Sequence, residues 1–258
     1  MTQSGKRLFL IQSLLKERPE YRQVETPRDP EGQRQLLRGL MNVRPPQAAD
    51  PDFLRVQDAY LQAETAARGI TDLADLTPVQ PGLYVWQGDI TTLRCDAIVN
   101  AANSGMTGCY VPNHRCIDNA IHTYAGVELR LACEKLMEQQ GCSEPTGQAK
   151  ITPAFNLPCR YVLHTVGPIV RDRVTRRDRE LLASCYRSCL ELAAENGLES
   201  VAFCCISTGI FRFPNQPAAQ IAVKTVRDFL VGNTSVKKVI FNVFKDRDNE
   251  IYHRLLFR

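Results

Sequence analysis

The sequence predicts an α/β sandwich, with helices on both faces of a central sheet, preceded by a helical extension. Three observations predict it. After Pro78 and Pro81, short β-rich apolar runs alternate with stretches of helical periodicity, the pattern of a layered α/β architecture. Several of those runs are apolar at successive positions, so both faces of their strands are expected to be covered. Ahead of them the chain offers three short amphipathic patterns broken by proline and glycine. Residues 1–78 are therefore read as a helical N-terminal extension and residues 79–258 as the main domain.

In the extension, Leu8, Ile11, Leu14 and Leu15 form one apolar face, Leu36, Leu37 and Leu40 a second, and Phe53, Val56, Tyr60 and Leu61 a third. Pro19, the segment from Pro27 to Pro30, Pro45-Pro46 and Gly69 separate them. Acidic and basic residues balance over Met1 to Gln80, so this part reads as a cap docked on the main domain, which could also shape one wall of a site. Strands are expected over Leu83 to Gln87, Asp96 to Asn100, Lys150 to Phe155, Tyr161 to Val166, Val201 to Ile206 and Lys238 to Val243. Helices are expected over Asp118 to Tyr124, Val127 to Gln140, Arg179 to Asn196 and Pro217 to Val231.

Composition narrows the class. A hydrophobic content of 44% and a charged content of 23% belong to an ordinary soluble globular protein. The net charge of +4 is too small to argue for nucleic acid, and no nucleic-acid partner is expected. No window reaches the roughly 18 consecutive apolar residues that a bilayer requires. Ten cysteines are scattered, and no signal peptide precedes Lys6 and Arg7, so the thiols are expected free in a reducing, cytoplasmic compartment. Cys204 and Cys205 sit in an apolar run and read as core. Arg171 to Arg179 holds five arginines with two aspartates and reads as a solvated loop in preference to a phosphate-binding patch.

The stretch from Val99 to Gly126 leaves an apolar run, passes through a loop rich in Gly, Asn and Pro, and enters a helix near Ile117. Such strand-to-helix loops are where α/β proteins place ligands. Within it, Cys109, His114 and Cys116 offer two thiolates and an imidazole in eight residues, a set suited to zinc with a fourth position open. Chance clustering in a cysteine-rich chain is the competing reading, and a variant adds His122 as a closing fourth ligand. Two further features are weaker. Ile206-Ser207-Thr208-Gly209-Ile210-Phe211 between a strand and a helix is either a tight turn or a row of N–H groups suited to a diphosphate. Asp89 in Gly88-Asp89-Ile90 either closes its own turn or accepts a hydrogen bond from an exocyclic amine.

Taken together, G-D-I-T at Gly88, V-N-A-A-N-S at Val99, I-D-N-A-I-H at Ile117 and I-S-T-G at Ile206 resemble a macrodomain over about Leu83 to Phe244. That family has a three-layer α/β/α fold with a mixed central sheet and binds ADP-ribose. In the hydrolytic MacroD type, a glycine run follows N-A-A-N. Here G-C-Y-V-P-N-H-R-C replaces it, which resembles the zinc-dependent macrodomains that remove ADP-ribose from proteins and are often linked to a sirtuin-type ADP-ribosyltransferase. The helical extension resembles theirs too. The resemblance implies that Asp89 holds the adenine amino group with Ile90 beside it, and that Asn103 orients the distal ribose. Cys109, His114 and Cys116 would hold Zn2+ next to that ribose, and Asp118 matches the acidic residue that MacroD-type enzymes use in catalysis. Ser207, Thr208, Gly209, Ile210 and Phe211 would wrap the diphosphate, and Phe244 would flank the adenine. Arg212 and Phe213 stand where many macrodomains have a second glycine followed by tyrosine.

The function this implies is hydrolysis of mono-ADP-ribose esters on acidic side chains of a modified protein, releasing ADP-ribose. The same pocket would accept O-acetyl-ADP-ribose. Two thiolates nearly cancel the charge of zinc, so the ion is expected to orient ribose oxygens or a water more than to acidify that water. Asp118 would then act as general base, or in the competing reading simply favour a helix start. The alternatives are a non-catalytic ADP-ribose reader with a structural zinc, and a scaffold with a vestigial cleft. His164, in an apolar strand, is read as a hydrogen-bonded core residue and set aside, as is His253 near the chain end.

Overall fold

Three capped helices open the chain in the computed structural model, which describes residues 1–232 and 234–257. They are α1 (Gln3–Lys16), α2 (Pro30–Val43) and α3 (Pro51–Arg68). Thr2, Asp29 and Asp50 accept the first free N–H groups, and proline fills an early helical position in α2 and α3, where the missing N–H costs nothing. Gly69, at φ 86°, ends α3. Three faces pack on one another through Leu10, Ile11, Leu14, Leu37, Leu40, Phe53, Val56, Tyr60 and Leu61, and Val127 of the main domain joins them; Leu10 stands in this cluster where Leu8 was expected, and Leu15 and Leu36 are only partly buried.

The strands are β1 (Thr71–Asp72), β2 (Leu83–Gln87), β3 (Leu93–Arg94), β4 (Ala97–Ala101), β5 (Ala149–Pro153), β6 (Tyr161–Thr165), β7 (Ser200–Phe203) and β8 (Lys238–Val243). Strands β1 and β3 form a two-residue parallel pair. The other six make one sheet in the order β2-β8-β7-β4-β6-β5, parallel throughout except that β5 runs antiparallel to β6. This is a mixed sheet with an antiparallel edge.

Helices α4 (Ile117–Ala125), α5 (Val127–Gln140), α6 (Arg176–Glu195), α7 (Asn215–Leu230) and α8 (Asp246–Leu256) complete the fold. Neighbouring residues of β6 show how they divide. His164 meets Cys133 of α5, while Thr165 meets Cys185 of α6, and alternate residues point to opposite faces. Helices therefore cover both sides, as the doubly apolar strands require. Ile98, Val99, Val162 and Leu163 are fully buried between them.

Five parallel strands place their carboxyl ends on one edge, so the segments after β2, β4, β6, β7 and β8 converge there. That edge is the natural ligand crevice of an open α/β sheet.

The structure trims some expectations. Strand β5 ends at Pro153, ahead of Phe155 at φ 52°, and β7 ends at Phe203. Helix α6 starts at Arg176 behind a Thr175–Asp178 capping box, so Arg176, Arg177 and Arg179 lie in its first turn, not in a loop. Helix α8 was not expected, because Ile251, Tyr252, Leu255 and Leu256 are set among charged residues. Among the described residues, no helix is long and apolar enough to cross a membrane.

Candidate active site

Between β4 and α4 the backbone turns at Met106, Gly108 and Asn113, all at positive φ. Gly108 is required by contact as well as by conformation, since a Cβ there would lie 2.8 Å from the His122 ring. Cys116 caps α4, its sulfur accepting the Asn119 N–H at 3.4 Å. The loop brings Cys109, His114 and Cys116 together, their ligand atoms all within 4.8 Å of one another, and Cys109 Sγ lies 3.4 Å from His114 Nδ1. A tetrahedral zinc with ordinary Zn–S and Zn–N bonds would hold such a pair about 3.6 Å apart. Burial, with the Cys109 thiol adding to it, pushes the Cys116 thiol up to about 11, and a bound divalent cation is what lets two neighbouring thiols ionise. The three residues fit zinc.

Helix α2 of the extension props this loop from outside. Arg38 donates to the His114 carbonyl at 3.1 Å and to Asn119 Oδ1 at 2.8 Å, and Asn119 Nδ2 donates to the Val111 carbonyl at 3.0 Å. Asn42 Oδ1 accepts the Asn113 N–H at 3.0 Å. The Arg130 guanidinium of α5 stacks 4.1 Å from the Tyr110 ring centroid. The extension thus forms a wall of the site.

A second group, His122, Cys133 and His164, is buried beneath the loop. It does not suit a metal. Asn100 Nδ2 lies 3.2 Å from His164 Nδ1 and Thr152 Oγ1 lies 2.9 Å from His164 Nε2, so both ring nitrogens are occupied by hydrogen bonds. Burial pushes the Cys133 thiol up to about 12, and the Arg130 cation acts on the same region. His122 belongs with this group, so the closed four-ligand variant finds no support. His164 is the hydrogen-bonded core histidine the sequence suggested.

Asp118 stands in the first turn of α4, two residues past Cys116, and is 5% exposed. Asn100 Nδ2 donates to Oδ1 at 2.8 Å and Asn103 Nδ2 approaches Oδ2 at 3.4 Å. Asn103 Nδ2 also donates to the Gly108 carbonyl at 3.1 Å, so one side chain joins the carboxylate to the loop that carries Cys109, His114 and Cys116. Burial pushes the Asp118 carboxyl up to about 6, opposed by Asn100, by the Arg130 charge and by Asn103.

On the same edge, Asp89 closes its own turn. Its Oδ1 accepts from Thr91 N at 3.0 Å and from Thr91 Oγ1 at 2.6 Å. The Ile90 side chain is buried in the core at 1% exposure. After β7, Ser207 and Arg212 adopt positive φ and bracket a loop whose Gly209, Ile210 and Phe211 N–H groups have no acceptor among the described residues. Gly167 presses against this loop so closely that a Cβ would lie 2.0 Å from Ser207 Oγ. Gly88 N donates to the Val243 carbonyl, which sets the exposed Phe244 next to the Asp89 turn.

A Macro domain family model matches residues 99–222. A Treponema medium protein named protein-ADP-ribose hydrolase is 60% identical over 99% of this chain and 100% of its own length. The chain belongs to the macrodomain family. A solved Trypanosoma brucei macrodomain in complex with ADP-ribose is 30% identical, with a TM-score of 0.66 over 84% of this chain and 94% of that one. A Fusarium oxysporum protein named probable bifunctional ADP-ribose hydrolase/ADP-ribosyltransferase is 41% identical over 86% of this chain, which spans 40% of its length.

The departure noted at Arg212 and Phe213 proves compatible with the shape of the loop after β7. Arg212 takes the left-handed conformation that glycine would occupy and stays exposed, while Phe213 is buried at 1%. The sequence had not singled out Asn100, Arg38 or Arg68. A polar side chain in the fully apolar β4 was the one available signal for Asn100. The two arginines act across contacts of 81 and 21 residues in sequence, which no local pattern reports.

Proposed function

We propose that this macrodomain is a zinc-dependent hydrolase that removes mono-ADP-ribose from proteins modified through an ester to an aspartate or glutamate side chain. The observation that carries this reading is the junction of two sets of groups. Asn103 bonds both the Asp118 carboxylate and the Gly108 carbonyl of the loop bearing Cys109, His114 and Cys116. The name of the Treponema medium relative supports hydrolysis, and the Trypanosoma brucei complex supports ADP-ribose as the bound group.

Cys109, His114 and Cys116 would hold the zinc, which when bound supplies a Lewis-acid site for ribose oxygens or a water. Hydrolysis breaks the bond between the anomeric carbon and the ester oxygen and forms one to the water oxygen. The protein carboxylate leaves as an anion. Asp118 takes the proton of the attacking water and passes it to solvent. Asn100 and Asn103 fix the direction of its lone pairs, and Asn103 steadies the distal ribose. The free N–H groups of the Ser207, Thr208, Gly209, Ile210 and Phe211 loop bind the diphosphate, Asp89 and the Ile90 main chain bind the adenine, and Phe244 flanks it. The division into a 1–78 extension and a 79–258 macrodomain, and a reducing compartment that keeps Cys109 and Cys116 as thiols, are parts of the same proposal. The modified protein and ADP-ribose are its partners. The Fusarium name supports a further pairing with an ADP-ribosyltransferase, which we take to be of the sirtuin type.

The test is release of ADP-ribose from a protein modified on acidic residues, with enzyme as purified, after chelation, and after zinc is restored. Release is expected to vanish on chelation and to return with zinc. Release that persists without metal would remove zinc from the chemistry. No release in any state, with ADP-ribose still bound, would favour a reader.

A further inference from the structure

Arg68, the last residue of α3, reaches from the extension to the far end of the cleft. Its Nη1 donates to Asp89 Oδ2 at 2.5 Å and to Thr91 Oγ1 at 3.0 Å, and its Nη2 donates to Thr65 Oγ1 at 3.2 Å. The guanidinium carbon lies 3.6 Å from the centroid of the Tyr124 ring of α4. Thr65 and Thr91 are both buried, so two of the three hydroxyl and carboxylate partners are fixed parts of the core. The flat face on Tyr124 fixes the plane of the fork. A lysine could not reproduce this set of contacts, because it offers one charge and no plane.

The consequence falls on Asp89. Its Oδ1 is used by the Thr91 turn and one lone pair of Oδ2 by Arg68, which leaves a single direction on Oδ2 open toward the 41% exposed side. A carboxylate held in this way can accept one hydrogen bond from one place. We propose that Arg68 is a positioning residue that makes Asp89 selective for a nucleobase carrying an exocyclic amine, and that the extension thereby sets base specificity. This rests on the reading of Asp89 as the adenine contact. Selectivity for a base is worth most when the polar group cannot turn to a second partner, because the wrong base then leaves it unpaired.

The experiment compares binding of ADP-ribose with that of its hypoxanthine analogue, which lacks the exocyclic amine and carries the same diphosphate. Loss of a cation that attracts the diphosphate at long range affects both ligands alike, so the ratio of their dissociation constants isolates the base contact. Wild type is expected to prefer ADP-ribose, and Arg68→Ala to lower that preference about ten-fold, with KM for the ester raised and kcat kept. Arg68→Lys, a milder change, is expected to recover affinity for both ligands while leaving the preference low. An unchanged preference in Arg68→Ala or Arg68→Lys would overturn the proposal, and so would tighter ADP-ribose binding, which would make Arg68 a competitor for the carboxylate. If wild type binds neither ligand or shows no preference, the Asp89 reading itself fails.

Discussion

Asn100 has no room to be anything but a connector. It is fully buried in β4, its register partner is His164 of β6, and its amide bridges the His164 ring to the Asp118 carboxylate. Since Asn100 donates, His164 Nδ1 accepts, and Nε2 carries the proton toward Thr152 Oγ1. That tautomer holds only for a neutral ring. Burial pushes the His164 pKa down to about 3, against an ordinary value of 6.5. The unfolded chain therefore takes up a proton that the native chain refuses as pH falls below about 6.5. Stability due to this residue is complete above that pH and is lost on acidification toward 3, at about 1.4 kcal/mol per pH unit. The advantage of wild type over His164→Gln in denaturant unfolding is expected to shrink at that rate between pH 6 and pH 4. A constant difference across the range would mean that His164 does not remain neutral in the fold.

At the scale of elements, α2 behaves as an outer support of the loop that carries Cys109, His114 and Cys116 more than as a cap. Its Arg38 and Asn42 bond the backbone at positions 111 to 114 directly or through Asn119. Groups that orient metal ligands commonly cost 10–100-fold in metal affinity when removed. Arg38→Ala is expected to weaken zinc binding by about that factor, read by competition with a chromogenic chelator. Zinc affinity equal to wild type would show that the loop holds its shape unaided. Such support is invisible in the sequence for a definite reason. The apolar runs that became β2, β4, β6, β7 and β8 report their own burial residue by residue, and the clustered Cys109, His114 and Cys116 report their chemistry through spacing. Arg38 looks like any solvated helix residue, and its partners lie 76 and 81 residues away. Helix α8 was missed for the converse reason, because its apolar residues crowd into its second half and the first half reads as a charged loop.

For the molecule as a whole, the question is what makes two hydrophobic clusters behave as one body, and Arg130 of α5 is the strongest single answer. It is 4% exposed, and its Nη1 donates to the carbonyls of Met41, Asn42 and Arg44 at the end of α2. Those carbonyls are among the last of a helix, which have no partners within it, and a cation there also meets the negative end of the helix dipole. Arg130→Met keeps the bulk but removes the donors, leaving carbonyls unpaired at a buried boundary. The adjoining cavity, about 10 Å³ and lined by Met41, Asn42, His122 and Val127 among others, has room for at most one water to replace them. A loss of about 2–4 kcal/mol is expected. Taken up by one transition of the whole chain, that would amount to about 5–15 °C. Because the loss falls on the seam, the extension should come free before the sheet melts, so calorimetry should resolve two transitions and brief proteolysis should cleave between α2 and α3 first. One unshifted transition would place the coupling elsewhere, in the contacts of α3 with α4 and with the Asp89 turn.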